Sequence, residues 1–348
     1  MKFLKVYQTQ KKCIGLFALL AVLFLGCPIV GQATDGTLNF YVTPVFPESQ
    51  IEGSDSYFDL NLAPGETERL SLRLQNASNE TIYIEVTPHT AYTNVHGVVE
   101  YGKDATEPDN SLSHALDEMI EHPEMIELQG NESKEIDLIL HMPDTSFQGV
   151  LAGGLRIIEV KEDQEESVSS EEGVAIENEF AYVIGIVVSN SRDSVKQDIA
   201  LLDVFADQLN YRNVISATIQ NFTSTFVNRM TIEATVQKAD ENEILYEARE
   251  EMMQMAPNSH FHFPISLEGD RFQSGEYVLN LTATSGEDQW SWTQTFTIEA
   301  EEARALNRKD VMIDSAINWW MIGAVSLLLL FVATLVYLIY QKRKASTE

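Results

Sequence analysis

The chain has 348 residues, 22% of them charged, and a formal net charge of −30 at neutral pH. Such a surface repels nucleic acid and anionic headgroups and favours basic or cation-bridged partners. The hydrophobic fraction of 44% is ordinary for a folded protein, so composition excludes disorder for the bulk of the chain.

Residues 1–33 have the order of an export signal. Lys2, Lys5, Lys11 and Lys12 precede an apolar run from Ile14 to Leu25, and Gly31-Gln32-Ala33 follows. The run is too short to cross a hydrocarbon core of roughly 30 Å as a helix, so cleavage after Ala33 is expected. The alternative is a lipoprotein signal, in which Phe24-Leu25-Gly26-Cys27 presents Cys27 for lipidation. Both cysteines, Cys13 and Cys27, lie in this segment. The mature chain therefore has no disulfide, which points to a Gram-positive bacterium rather than to an animal immunoglobulin-like ectodomain.

From Thr34 to Ile298 the pattern is that of short strands. Asn39–Val45 and Tyr57–Asn61 come first, with Pro64-Gly65 as a turn. Leu70, Leu72 and Leu74 alternate with polar residues, and after the turn Asn76-Ala77-Ser78-Asn79 so do Ile82, Ile84 and Val86. This reads as a hairpin with one buried face. Ser111–Glu121 has helical spacing (Leu112, Leu116, Met119, Ile120) ending at His122-Pro123. Ile136, Leu138 and Leu140 form another strand. Gly149–Val160 is an apolar, Gly-rich central strand whose glycines allow close backbone approach. It is expected to pair with Phe180–Val188 across the acidic stretch Lys161–Gly173, closing a first immunoglobulin-like domain over 34–188. That stretch lacks the spaced oxygen ligands of a calcium loop.

A second immunoglobulin-like domain over 189–300 is expected from seven strands near 199–205, 214–221, 230–237, 244–250, 260–267, 276–284 and 290–299. The fold class is thus all-β, two sandwiches in tandem. A polar stalk is expected over 301–318. From Trp319 to Tyr340 no residue is charged; tryptophans and tyrosines mark the two ends, and Lys342, Arg343 and Lys344 follow. This predicts a single membrane-spanning helix over 319–340 with a basic cytoplasmic tail over 341–348 and the ectodomain outside. Removing the four signal lysines and the net +2 of the tail leaves about −36 on Thr34–Asn318.

A search for chemistry returns no nucleophile elbow, Ser-x-x-Lys, zinc-protease or phosphate-loop motif, and no mature thiol, so no enzyme and no cofactor is expected. His260 and His262 share a strand face without a third metal ligand. Five Asn-x-Ser/Thr sequons, at Asn76, Asn79, Asn131, Asn221 and Asn280, read as chance in an Asn-rich β protein or as glycan acceptors in a eukaryote. Tyr92, Asn94, His96 and Tyr101 surround a His96-Gly97 turn and combine stacking faces with hydrogen-bonding groups. They are candidate glycan contacts, or simply a hairpin tip. Trp290 and Trp292 share a face with Phe296 and Ile298. Core packing and a binding platform are both open for them, and with Asn258 they are the candidate partner-binding residues.

Phe40-Tyr41-Val42-Thr43-Pro44-Val45-Phe46-Pro47-Glu48, Tyr57-Phe58-Asp59-Leu60 with Pro64-Gly65, and Gly149–Leu155 resemble the first domain of WxL-interacting proteins. Ala181-Tyr182-Val183-Ile184-Gly185, Met255-Ala256-Pro257-Asn258-Ser259, Gly275-Glu276-Tyr277 and Trp290-Ser291-Trp292 resemble the second. The order of signal, two domains, membrane helix and basic tail is also similar. The resemblance implies a first domain that binds peptidoglycan and a second that binds secreted WxL-domain proteins or host matrix proteins, in a low-GC Gram-positive bacterium. No Leu-Pro-x-Thr-Gly sorting signal is present, so retention in the membrane is expected.

Overall fold

The computed structural model describes residues 39–103, 105, 107–160, 180–313 and 323–335. The expected export signal, the acidic stretch 161–173 and the basic C-terminal residues lie outside the described residues.

Two β-sandwiches follow one another. The first is built from β1 (Phe40–Val45), β2 (Phe58–Asn61), β3 (Thr67–Asn76), β4 (Ile82–Thr90), β7 (Ile120–Glu121), β8 (Ile126–Leu128), β9 (Ser133–His141), β10 (Leu151–Val160) and β11 (Ala181–Ser189). One sheet has the order β1-β3-β9-β7 and the other β2-β11-β10-β4-β8. A two-stranded ribbon of β5 (Tyr92–Thr93) and β6 (Val99–Glu100) stands apart from both. Ladders are antiparallel except β2 with β11, which run parallel from Phe58↔Ile186 to Asn61↔Ser189. Alternating Leu70, Leu72, Leu74, Ile84, Val86, Leu138, Leu140, Leu155, Ile157, Ile186 and Val188 close one core. The expected pairing of β10 with β11 is present, from Leu151↔Val188 to Ile158↔Ala181.

The second sandwich comprises β12 (Ile199–Leu209), β13 (Arg212–Asn221), β14 (Val227–Lys238), β15 (Ile244–Met255), β16 (Ser259–Ser266), β17 (Gly275–Ser285) and β18 (Asp288–Ile298). Sheets β12-β13-β16 and β15-β14-β17-β18 enclose a core around Ile215, Ile219, Ile232, Val236, Phe263, Leu279 and Leu281. Lettered A to G in chain order, this is an ABE sheet on a DCFG sheet, an immunoglobulin-like arrangement with the fourth strand moved to the sheet of C, F and G.

Three expectations are corrected. First, β3 and β4 are not a hairpin. β3 pairs with β1 and β9, β4 with β10 and β8, so the two face one another across the core. Alternation fixes which face a strand buries and is silent about its partner. The crossover turns on Asn76, which is 1% exposed. Its amide donates to the carbonyls of Glu80, Leu128 and Gln129, and its Oδ1 accepts from the Ser78 N–H and hydroxyl. Asn221, fully buried, repeats this at the β13–β14 corner. Its amide donates to Thr225 and Ala256 carbonyls while Oδ1 accepts from the Thr223 N–H and hydroxyl. In both domains an asparagine closes the passage between sheets without orphaned backbone groups.

Second, Ser111–Glu121 forms only a 3₁₀ turn at Asp117–Met119 before β7. Asp109 captures the N–H and hydroxyl of Ser111, and the Thr90 hydroxyl oxygen accepts the N–H groups of Leu116 and Asp117. These bonds replace those of a helix too short to be stable alone. The apolar spacing reflects Leu116, Met119 and Ile120 dipping into the first core.

Third, the first part of the expected stalk is α1 (Ala300–Lys309), seated on the second sandwich. A capping box of Glu299 and Glu302 starts it, Ala303 is buried, and Asn307 and Asp310 bond back to Phe272 and Asn213. Residues 323–335 are helical, and part of the expected 319–340 span lies outside the described residues. Among the described residues no helix is long and apolar enough to cross a membrane.

Replacing Asn76 or Asn221 by Ala strands several buried backbone groups, each worth about 1–3 kcal/mol. A loss of about 3 kcal/mol or more is expected in denaturant unfolding of either variant. A loss below about 1 kcal/mol would mean that water replaces the amide.

Candidate functional site

The chain between β4 and β7 leaves the first sandwich and lies against the second. The β5–β6 ribbon is stapled by Asn94, whose Oδ1 accepts the N–H groups of His96 and Val98 and whose amide donates to Glu100. At its tip Gly97 has φ +65°, and a Cβ there would lie 2.4 Å from Met253 Cε. The Gln254 N–H donates to the Gly97 carbonyl at 2.7 Å. Further along, the Thr93 and Ser259 hydroxyls are 2.6 Å apart, and the Ala256 N–H donates to Thr93 Oγ1 at 3.0 Å. Ala91, Val99, Ala152 and Ala256 form a small apolar cluster beneath, covered by Tyr101, Val187 and Phe226. The small side chains let the two domains approach closely.

A second contact comes from the start of β10. Gly149 has φ +75°, and a Cβ there would sit 2.1 Å from the Ser224 carbonyl oxygen. The Val150 N–H donates to that oxygen at 2.8 Å, and the Ser224 hydroxyl donates to the Gln148 carbonyl. Only glycine meets both the conformation and the space. Within the first sandwich, Gly153 and Gly154 work similarly: a Cβ would meet the His89 carbonyl and Leu116, or the Tyr101 carbonyl.

Asp109 is the electrostatic centre of the junction. Its side chain is 2% exposed and it lies 2.8 Å from Nδ1 of His260, itself 20% exposed. It also accepts from Ser111 and from the Gln220 amide. Burial pushes the Asp109 carboxyl up, but the hydrogen bonds from His260, Ser111 and Gln220 outweigh burial and hold it far below the usual carboxylate range. The bond to Asp109 raises His260 against the opposing effect of burial, with the charges of Asp109 and Glu107 adding to it.

Beside this pair a cavity of about 150 Å³ is walled by both domains, including Tyr92, Glu107, Leu112, Glu118, Asn258 and His260. It adjoins an open groove of about 640 Å³ that runs past His114 and Glu118 to His141 and Asp144. The combination of carboxylates, imidazoles and one tyrosine ring suits a ligand bearing ammonium and hydroxyl groups. Among the described residues no group of three or more His, Cys, Asp or Glu is arranged to hold a metal ion. His262 instead meets the Thr218 hydroxyl and the Phe205 ring.

The sequence-derived candidates are redistributed by the fold. Tyr92 and Asn258, assigned to separate sites, line the same cavity. The Asn258 amide donates to the Ser111 carbonyl across the junction. Asn94 shapes the ribbon tip, His96 is exposed there, and Tyr101 is half-buried with burial raising its hydroxyl pKa. Trp290 and Trp292 do not line the cavity. They are half-buried on β18, packed on the second core, and Trp290 Nε1 donates to Asp198 at 2.8 Å. Sequence reasoning missed Asp109, Thr93 and Ser224, and read Gly97 only as part of a turn. The Pro108-Asp109-Asn110 turn marks a bend but gives no sign that its carboxylate is buried.

Removing one partner of a buried pair is expected to cost about 3–5 kcal/mol, so Asp109→Ala should strongly destabilise the junction in thermal or denaturant unfolding. The pH dependence follows from the two shifts. The depressed Asp109 stabilises above its unfolded value near 3.9, and the raised His260 stabilises below its unfolded value near 6.5. Stability from the pair is therefore greatest between about pH 4 and 6.5 and falls as pH rises through the raised His260 value. His260→Gln should flatten the alkaline side of the profile; an unchanged slope would assign that loss elsewhere.

Residues 40–159 match the family model described as WxL Interacting Protein, peptidoglycan binding domain, and residues 171–308 match that of the WxL Interacting Protein, host binding domain. The second match begins before β11, a strand of the first sandwich. No curated protein matches the chain. Among solved structures, the class 5 fimbriae chaperone CfaA is 16% identical, covering 75% of this chain and 100% of its own, with a TM-score of 0.30. The E. coli chaperone DraB is 10% identical over 75% of this chain and 98% of its own, with a TM-score of 0.26. A PapD-like domain of human CEP192 is 12% identical over 48% of this chain and 99% of its own, with a TM-score of 0.25. With both of its domains matched in order, over well more than half its length, the chain belongs to the WxL-interacting protein family.

Proposed function

We propose that this protein is a membrane-anchored scaffold of the Gram-positive cell surface, with its ectodomain outside and its C-terminus in the cytoplasm. The first sandwich binds peptidoglycan and the second docks secreted WxL-domain proteins, with no catalytic step. The ordered pair of family matches carries the binding roles, because the family descriptions name peptidoglycan for the first domain and WxL proteins for the whole. The uncharged stretch from Trp319 to Tyr340 and the basic residues behind it support the anchor.

The cavity and groove at the junction are the surface we assign to peptidoglycan. Stem peptides carry free ammonium groups and the glycan carries hydroxyls. Glu118 and Asp144 offer carboxylates to the first, and Tyr92 offers a ring face to the second. A second reading, an adhesin whose second domain binds host matrix protein directly, is favoured by the host-binding description of residues 171–308.

The test is a sedimentation assay of the full chain with insoluble peptidoglycan, and a binding assay with a secreted WxL-domain protein, both at physiological salt. Peptidoglycan capture weakened about tenfold by Glu118→Lys with Asp144→Lys is expected, since like charge replaces opposite charge. Full capture by this variant would move the glycan site elsewhere. Binding to immobilised matrix protein with no binding to the WxL-domain protein would favour the adhesin.

A further inference from the structure

An edge strand presents unpaired backbone donors and acceptors, and proteins guard such edges with shortness, proline, bulges or charge. Most edges here are guarded. β1 carries Pro44 and β16 carries Pro264. β2, β7 and β8 have four residues or fewer. β12 has a bulge between Leu201 and Asp203 and bears Asp203 and Asp207. β15 shifts register repeatedly against β14 and bears Glu247, Arg249, Glu250 and Glu251.

β18 has none of these devices between Gln289 and Thr297. It pairs with β17 alone, in unbroken register from Asp288 to Ile298, and the segment Gln-Trp-Ser-Trp-Thr-Gln-Thr-Phe-Thr has no charge, proline or glycine. Among the edge strands, β18 thus combines an unbroken register with the absence of proline and charge over this segment.

The turn identifies which backbone groups are free. Ser285↔Asp288 closes a two-residue hairpin on Gly286-Glu287, with Gly286 at φ +62° as a type II′ turn requires. The closing pair of such a hairpin is hydrogen-bonded, and the pattern alternates outward. Ala283↔Trp290 and Leu281↔Trp292 therefore bond across the ladder, while the N–H and C=O groups of Gln289, Ser291, Thr293 and Thr295 point away from β17, with Lys196–Asp198 lying against the turn end of the strand. Among the described residues, none outside β17 hydrogen-bonds the backbone of this segment.

We propose that the β18 edge is a docking site for an extended segment of an exported protein, added as a further strand of the β15-β14-β17-β18 sheet. The charges at its ends select the occupant. Glu287 flanks it at the turn beside Asp288, which Lys196 and Gln197 already partner, and Glu301 flanks it at the far end beside the Glu299–Glu302 capping box. The segment that fits is neutral in its centre and carries Lys or Arg at its flanks. A second copy of this chain would set acidic ends against acidic ends or add to an already large negative charge. Half-exposed Trp290 and Trp292 meet apolar side chains on one face of the incoming strand, and Ser291, Thr293 and Thr295 meet polar ones on the other. The inference rests on the reading that the second sandwich docks a WxL-domain protein, and gives that docking a location.

The test uses the purified full chain with two probes: a secreted WxL-domain protein, and a peptide copying Tyr277–Thr284 of β17 with lysines at each end. Thr293→Pro and Thr295→Pro remove outward N–H groups at positions where an edge tolerates proline. Thr293→Ala keeps the N–H. Binding of both probes should slow hydrogen exchange over 289–297, weaken about tenfold in the proline variants and persist in the alanine variant. Should a proline variant fail to fold, Ser291→Lys with Thr295→Lys serves instead, because edge lysines discourage strand addition. Equal binding of the WxL-domain protein by wild type and edge variants would overturn the inference and leave the docking reading standing. Peptide protection of 289–297 without WxL-protein binding would support the edge and sink that reading. Failure of both probes, or a dimer abolished by the edge variants, would overturn the proposed occupant.

Discussion

The carboxylate of Asp109 is withdrawn from water where the two sandwiches meet, and a buried charge persists only when its acceptor sites are filled. Ser111 fills them from its own domain, Gln220 and His260 from the other. Turning one domain against the other would separate the ion from its partners, so relative orientation is fixed by hydrogen-bond geometry as well as by buried area. The backbone fits at Gly97 and Gly149 depend on the same placement, since both bring main chain against Met253 or Ser224 too closely for any other residue.

A fixed junction gives the cavity a defined shape. Its walls come from the β4–β7 connection and from the β15–β16 turn, elements more than a hundred residues apart in sequence. The same rigidity holds the groove along 108–119 in a constant relation to β18 of the second sandwich. Ligands bound at these two places would then be held at a set distance and angle. Among the described residues, hydrogen bonds and close packing form this junction.

Much of the fold was legible because strand alternation reports burial directly. All seven strands of the second sandwich and the β10–β11 pairing follow from it. What failed were questions of partnership. Leu70–Leu74 and Ile82–Val86 show the same pattern whether they pair side by side or face each other across a core. Leu116, Met119 and Ile120 were apolar for the sake of the first core and Leu112 for the cavity wall, while Thr90 and Asp109 took over the backbone. Of the site, Tyr92 and Asn258 were singled out by residue type, yet their meeting depends on contacts between distant segments that no local pattern encodes. The corners had a readable signal: an Asn-x-Ser/Thr at the end of the second long strand of each domain, at Asn76 and again at Asn221.

Those two corners bear on where the protein can be made. A eukaryotic secretory pathway joins oligosaccharide to the amide nitrogen of Asn-x-Ser/Thr, and Asn76-Ala77-Ser78 and Asn221-Phe222-Thr223 both satisfy that motif. In the folded chain these nitrogens are buried and donate to two or three carbonyls each. A sugar attached during synthesis would occupy the corner before the sheets could close over it. A glycan on either amide is therefore incompatible with the closed corner, and each domain has one position where that modification and the fold exclude one another.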